Sequence, residues 1–328
     1  MLISRKRANP TIVVYPGYAN HSGVVVFGHV FRQNLRHWYP YSDHFFSNLW
    51  VLWKLFRVKG LRGVSVELSA GGEVAYTTTD AKGYFRFDLP LNRPVSYGWT
   101  AVEVRLSPDS PYKAPTAHGT VLRPGLNSYD IITDIDDTLL ISHSRNWWKK
   151  LRLLIMHTPS ERRPFDGVVS HYQQLYQHNS QLGSCLFSYV SSSEWNLYPF
   201  IRAFSRTHQL PRGIYLLRSL KTRLIDFFKT GKGDHQHKLR KIRELLEFYP
   251  DHHFILLGDD TQKDPLLYMQ AVRKFPGQIA CVYIRHTRKW FSREVEAMLG
   301  EISRLGIPCC YFVHSEEAIL HSKKMGFM

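Results

Sequence analysis

The spacing of hydrophobic residues changes character near residue 127. Before that point, short segments alternate apolar with polar residues and are separated by glycine-containing turns. Period-two alternation is typical of half-buried β-strands. The predicted strands are 11–15, 23–31, 63–68, a strand-turn-strand unit over 75–87, and 101–106. We therefore predict an all-β, sandwich-like domain over residues 1–126.

After residue 127, short apolar segments alternate with longer segments of helical periodicity. The predicted strands are 130–133, 185–190, 213–217, 254–257, 278–284 and 310–313. The predicted helices are 171–178, 195–206, 238–248, 265–274 and 293–299. Such alternation predicts βα units in a mostly parallel sheet. We therefore predict an α/β domain over residues 127–328.

Two segments combine aromatic and basic residues. The first, 40–59, is a predicted helical insertion in the β domain, and its cations stand at its C-terminal end. The second, 144–163, has Trp147 and Trp148 with six basic residues against one acidic residue. An aromatic face with basic flanks fits a helix at a membrane interface. Packing against the protein itself is the alternative for both segments.

Charge and composition narrow the class of partner. The 328 residues carry 43 basic and 27 acidic side chains, a formal charge of +16, which favours an anionic partner. The sequence has no nucleic-acid-binding motif, so we expect a membrane surface or a phosphorylated substrate. No apolar run is long enough to span a membrane, and the four cysteines lack zinc or disulfide spacing. We expect a cytoplasmic, peripherally membrane-associated protein.

Acidic residues follow two of the predicted strands. Asp134 and Asp136 come at the end of the first α/β strand, and Asp259 follows the strand 254–257. Ligands bind at the carboxyl ends of strands in open α/β sheets, where one carboxylate can act as nucleophile and another as proton donor. Mg²⁺ is commonly held by one or two carboxylates, so we predict that Asp134 and Asp259 share one ion. An acidic turn that merely caps a helix is the alternative.

A hydroxyl and a cation complete the predicted phosphate site. Ser191 follows a predicted strand and precedes a predicted helix, where a phosphate oxygen can bind. The alternative is that these serines only cap the helix, a role that suits Ser193. Lys232 and Lys238 both precede Asp259 and can offset phosphoryl charge. Lys238 opens a predicted helix and Lys232 lies between glycines; the choice between them stays open.

Taken in order, these motifs resemble those of the haloacid-dehalogenase-like (HAD-like) phosphatases. Segments 134–138, 189–198, 210–213 and 254–265 are similar to the App1 type of phosphatidate phosphatase, and the resemblance covers about residues 128–315. The β-rich N-terminal half resembles the domain that precedes the catalytic part in bacterial members. The chain departs from the family pattern at Ser219, where the family has Asp, and at Asp260, where it has Ser.

The resemblance implies a HAD-like Rossmannoid fold and Mg²⁺-dependent hydrolysis of phosphatidate to diacylglycerol through an aspartyl-phosphate. By this resemblance, Asp134 would be the nucleophile and a metal ligand, Asp136 would donate and accept protons and bind the metal through its backbone carbonyl, and Thr138 would brace the loop. Asp259 would be a metal ligand, and Asp264 or Asp260 would support the metal through water. Ser191 and Lys238 would contact the phosphoryl oxygens. A non-catalytic phosphatidate-binding membrane module, and a phosphatase for soluble or nucleic-acid phosphomonoesters, are the alternatives.

Overall fold

The computed structural model describes residues 10–33, 57–135, 165–220, 236–261, 263–287 and 290–328. The aromatic and basic segment 144–163 lies outside these residues, as does the segment 40–59 up to residue 56; residues 57–59 are not helical. The described residues divide into two compact units. The first contains those up to Arg123 with Ser219 and Leu220, and the second contains those of 124–218 and from residue 236 onward.

The first unit contains eight β-strands. They are β1 (Thr11–Val14), β2 (Gly17–Ala19), β3 (Gly23–Phe31), β4 (Ser65–Ala70), β5 (Glu73–Thr78), β6 (Tyr84–Pro90), β7 (Gly98–Leu106) and β8 (Ala117–Arg123). They pair in the order β1-β3-β2-β8-β7-β4-β5, and β6 pairs with β3. All pairs are antiparallel except β2 with β8. The all-β character of this region agrees with the sequence, although β2 and β8 were not predicted.

One hydrogen-bonded sheet joins all eight strands, so the two separate layers of a sandwich are not confirmed. The reason lies in β3, which is buried along its nine residues. It pairs with β1, β2 and β6, so that these strands belong to one hydrogen-bonded sheet. Residues from β1 to β8, including Val26, Val66 and Val102, pack into one shared core.

The second unit contains a six-stranded parallel sheet with helices between its strands. The strands are β9 (Tyr129–Asp134), β10 (Phe187–Glu194), β11 (Ile214–Arg218), β12 (His253–Asp259), β13 (Ile279–Arg285) and β14 (Cys309–Phe312). The helices are α1 (Val168–Gly183), α2 (Tyr198–Thr207), α3 (Gln236–Phe248), α4 (Asp264–Lys274), α5 (Arg293–Arg304) and α6 (Ser315–Lys324). The predicted parallel α/β architecture is confirmed for this unit.

The strand order places the acidic strand ends beside each other. The sheet runs β11-β10-β9-β12-β13-β14, so the chain moves outward from β9 in one direction and later returns to β12 on its other side. Ligands in such sheets bind where the direction of winding reverses. The crevice at the carboxyl ends of β9 and β12 is therefore the favoured binding position, and Asp134 and Asp259 both lie there.

Differences from the predicted elements are local. Strand β10 begins two residues later than expected and continues to Glu194, so Ser191 to Ser193 belong to the strand instead of following it. A short 3-10 turn, Trp195–Leu197, separates β10 from α2. Helix α6 was not predicted, because its sequence SEEAILHSKK has few apolar residues at helical spacing. No helix in the described ranges has the length and apolarity needed to cross a bilayer.

Candidate active site

Three carboxylates from two strand ends and one helix start converge in the second unit. Asp134 is the last residue of β9, Asp259 is the last residue of β12, and Asp264 begins α4. Carboxylate oxygens of the three residues all lie within 4.8 Å of one another. All three side chains are buried. The structure thus brings together Asp134 and Asp259, which the sequence places more than a hundred residues apart.

Lys238 neutralises part of this cluster. It is the third residue of α3 and is buried. Its Nζ lies 2.9 Å from Asp134 Oδ1 and 3.1 Å from Asp264 Oδ1. Three carboxylates so close together in a buried space carry excess negative charge, which Lys238 and the buried Arg285 opposite Asp259 offset in part. Oxygen donors with that charge suit Mg²⁺, so the donor set fits the ion that the resemblance implies.

The turn between β12 and α4 is held by its own acidic residues. Asp259 Oδ1 accepts a hydrogen bond from the Thr261 backbone N–H at 2.6 Å and another from the Thr261 hydroxyl. Asp264 Oδ2 accepts a long one, 3.5 Å, from the Asp259 backbone N–H. Asp-x-Thr is a sequence signal for such a turn. These contacts orient Asp259 and Asp264 toward the same point.

Gly258 allows this close approach. A Cβ atom at that position would lie 2.9 Å from Asp264 Oδ2 and 2.9 Å from Tyr268 Cε2. Any other residue would force the side chain of Asp264 or Tyr268 to shift. The glycine before Asp259 is therefore a packing requirement of the carboxylate cluster.

Two buried tyrosines support the strands that carry the carboxylates. Tyr268 of α4 donates to the Leu257 carbonyl of β12 at 2.7 Å, and the Tyr172 hydroxyl of α1 lies 2.8 Å from Thr133 Oγ1. Burial raises the pKa of both phenols, and the charges of nearby aspartates, including Asp134, raise it further. Both therefore remain neutral. Sequence reasoning missed them, since their role appears only when helix and strand are packed.

Asp260 faces a different part of the molecule. Its Oδ2 is 2.6 Å from His286 Nδ1 and accepts from the Tyr311 hydroxyl at 2.8 Å; its Oδ1 accepts from the Thr287 N–H at 3.0 Å and from the Thr287 hydroxyl. Burial alone would raise the pKa of Asp260, but these hydrogen bonds hold it below its usual value. Of the two residues predicted to support the metal, Asp264 joins the cluster and Asp260 instead ties the β12 loop to β13 and β14.

Ser191 lies beside the cluster, on the neighbouring strand. Val190 pairs with Asp134, so Ser191 stands one residue further toward the carboxyl edge. It is buried, and its Oγ accepts from the Ser193 backbone N–H at 2.9 Å. The alternative role of Ser193 as a helix cap is wrong: Glu194 precedes the 3-10 turn, Leu197 precedes α2, and no side chain caps either.

The predicted residues Asp136, Thr138 and Lys232 lie outside the described part of the chain.

Comparison with known proteins links this region to one family. Residues 129–286 match the model of the catalytic domain of phosphatidate phosphatase APP1. An uncharacterised protein of Schizosaccharomyces pombe is 26% identical over 214 residues, which cover 63% of this chain and 34% of that protein. Phosphatidate phosphatase APP1 of Saccharomyces cerevisiae is 26% identical over 155 residues, 47% of this chain and 25% of that protein. The chain thus spans about a third or less of the curated relatives that it matches.

Similarity to solved structures is weak. A carbohydrate acetylesterase from Xanthomonas citri is 10% identical with a TM-score of 0.29, covering 84% of this chain and 68% of that chain. A mutant of the PilB minor pilin from Streptococcus sanguinis is 11% identical with a TM-score of 0.30, covering 81% of this chain and 86% of that chain.

Proposed function

We propose, from the premise that residues 129–286 form a catalytic domain of the App1 type, that this protein hydrolyses phosphatidate to diacylglycerol and phosphate. The observation that carries the proposal is the convergence of Asp134, Asp259 and Asp264 around Lys238, inside the region that matches the family. A carboxylate beside a cation and a proposed metal position is what an aspartyl-phosphate mechanism requires. The site chemistry and the family resemblance therefore support the same reaction.

The proposed cofactor is Mg²⁺, held by Asp134 and Asp259 together with the backbone carbonyl of Asp136. Asp264 would support it through water. When bound, the ion offsets negative charge on the phosphoryl oxygens. The convergence of three buried carboxylates within 4.8 Å of one another supports a divalent cation at this position.

In the proposed reaction, the Asp134 carboxylate attacks phosphorus and forms an aspartyl-phosphate. The bond between phosphorus and the glycerol oxygen breaks, and Asp136 gives that oxygen a proton. Asp136 then accepts a proton from a water molecule that attacks the same phosphorus, which releases phosphate and restores Asp134. Lys238, already 2.9 Å from Asp134, and Ser191 would hold the phosphoryl oxygens, and Thr138 would brace the loop.

The proposed site of action is the cytoplasmic surface of a membrane containing anionic lipid. The formal charge of +16 supports this, because a basic protein is attracted to anionic headgroups. Phosphatidate itself carries the phosphomonoester that the site would cleave. Positive charge on the protein would thus attract both the anionic substrate and the anionic membrane surface.

The proposal is tested with Asp134→Asn. An amide cannot act as the nucleophile, so phosphate release from phosphatidate should fall to the level of a blank while circular dichroism stays unchanged. Asp251→Asn, on an exposed residue after α3, is the matched control and should retain full activity. Undiminished turnover by Asp134→Asn would reject the mechanism.

The substrate is tested with a panel. Phosphatidate in vesicles, lysophosphatidate, diacylglycerol pyrophosphate, soluble phosphomonoesters and nucleotides are compared with and without EDTA. The proposal expects phosphatidate to be hydrolysed best and EDTA to stop the reaction. If a soluble ester is hydrolysed best, the assignment as a phosphatase stands but the assignment of phosphatidate as its substrate is rejected.

A further inference from the structure

The segment between β13 and α5 presents two aromatic side chains to solvent. Trp290 is 76% exposed and Phe291 is 52% exposed. Among the large apolar side chains in the described ranges, Trp290 is the most exposed. Adjacent exposed aromatic residues are uncommon on soluble surfaces and mark contact sites for protein or membrane. Neither residue belongs to the carboxylate cluster.

Phe291 is held in place by packing on one face. Its ring stacks on His286 with centroids 4.0 Å apart and an interplanar angle of 12°, and it meets the Tyr311 ring edge-on at 5.0 Å. His286 and Tyr311 are both hydrogen-bonded to Asp260. The exposed half of Phe291 therefore sits on a fixed aromatic and polar base.

The residues beneath Phe291, which are His286, Tyr311 and Asp260, connect this surface to the candidate active site. Asp260 follows Asp259 directly, and Asp259 pairs with Arg285, the residue before His286. Both aromatic residues thus follow the carboxyl end of β13, at the sheet edge where the carboxylates of Asp134 and Asp259 lie. A surface that docked on them would face the opening of that edge.

We propose that Trp290, Phe291 and the exposed Arg293 form a membrane-docking surface for an anionic bilayer; the proposal rests on the phosphatidate phosphatase function. Trp favours the headgroup region, where its ring is buried and its N–H remains hydrated, and Phe adds apolar area. The occupant is a bilayer because the chain carries a charge of +16, complementary to anionic headgroups, and because the basic residues that flank the aromatic pair in sequence outnumber the acidic residues of the first turn of α5: Arg288, Lys289 and Arg293 against Glu294 and Glu296. Docking orients the carboxyl edge of the sheet toward the headgroup layer that contains the substrate.

The binding test uses vesicle sedimentation with phosphatidylcholine vesicles, with and without phosphatidate. Asp134→Asn is the parent protein, so that no substrate is consumed. Adding Trp290→Ser and Phe291→Ser should weaken binding to phosphatidate-containing vesicles about tenfold, because two apolar side chains no longer leave water. Trp290→Ser alone should show part of this loss.

The matched control is Leu182→Ser with Leu305→Ser in the same parent. Both leucines are about half exposed, at 49% and 50%, but Leu182 lies in the last turn of α1 and Leu305 follows the end of α5, at the opposite, amino edge of the sheet. The control should bind vesicles as the parent does. Equal vesicle binding by the parent, the aromatic variants and the control would overturn the docking surface.

An activity test separates this inference from the proposed function. With Asp134 intact, Trp290→Ser/Phe291→Ser should hydrolyse a soluble short-chain phosphatidate at the parental rate and vesicular phosphatidate about tenfold more slowly. A parent enzyme inactive on both substrates would reject the proposed function, while the binding result still decides the docking surface. Equal losses on both substrates would overturn the docking role.

Discussion

At the scale of single residues, Lys238 stabilises the acidic cluster when no metal is bound. Its ammonium contacts two of the three carboxylates, and all four groups are buried. Removing one partner of a buried ion pair leaves an uncompensated charge, which is more damaging than loss of an exposed pair. The lysine therefore has a structural role besides the phosphate contact proposed for it.

Lys238→Met should lower the free energy of unfolding of the metal-free protein by about 3 kcal/mol. Urea titration in EDTA measures this change. Lys274→Met is the control, because Lys274 is half exposed and its pair with Glu247 should contribute less than about 1 kcal/mol. A similar loss in both variants would show that Lys238 does not hold the cluster together.

At the scale of elements, the junction of β12 with α4 builds the site. Asp259 ends the strand, Asp264 begins the helix, and Gly258 lets the two carboxylates approach. Pro265 in the first turn of α4 suits a helix start, since its missing N–H would have no helical partner there. The geometry of the cluster thus depends on a single strand-to-helix turn.

Gly258→Ala should displace Asp264 and reduce both stability, by about 1–3 kcal/mol, and phosphatase activity, because its Cβ would overlap neighbouring atoms. Denaturant unfolding and phosphate release measure the two effects. Gly277→Ala is the matched control, since a Cβ there would have no atom within 4 Å. Full activity of Gly258→Ala would contradict the packing role of the glycine.

At the scale of the whole molecule, an ion bound by β9 and β12 would couple the two halves of the parallel sheet. These strands are neighbours in the sheet but are separated by more than a hundred residues of sequence. A ligand that binds only the folded protein stabilises it in proportion to the logarithm of its concentration. Metal binding should therefore be visible as stability, independently of catalysis.

Mg²⁺ at a hundred times its dissociation constant should add about 2.7 kcal/mol to the free energy of unfolding. Thermal melting with Mg²⁺ and with EDTA measures the corresponding rise in Tm. Asp259→Asn should lose the rise, whereas Asp260→Asn should keep it, because Asp260 bonds to His286, Thr287 and Tyr311 instead of joining the cluster. A rise of the same size in Asp259→Asn would place the ion elsewhere.

The sequence by itself determined the elements and the type of chemistry. Hydrophobic periodicity is a local property, so it located most strands and helices of the α/β unit to within a few residues. Carboxylates after apolar strands identified Asp134 and Asp259, because the ends of parallel strands share one edge of a sheet. Helix α6 escaped prediction because it has few apolar residues at helical spacing, although its capping box of His314 and Glu317 is a local signal.

Only the tertiary structure decided which of several equivalent residues enter the cluster. Asp259 and Asp260 are adjacent and chemically identical, yet only Asp259, the last residue of β12, meets Asp134, whereas Asp260 lies in the bend that follows the strand. Asp260 is instead hydrogen-bonded to His286 and Tyr311, and no local sequence pattern connects these two residues to it. Likewise, the pairing of β3 with three strands made one sheet where alternation suggested two. Alternation and motif order act along the chain, whereas these choices depend on strands that meet only after folding.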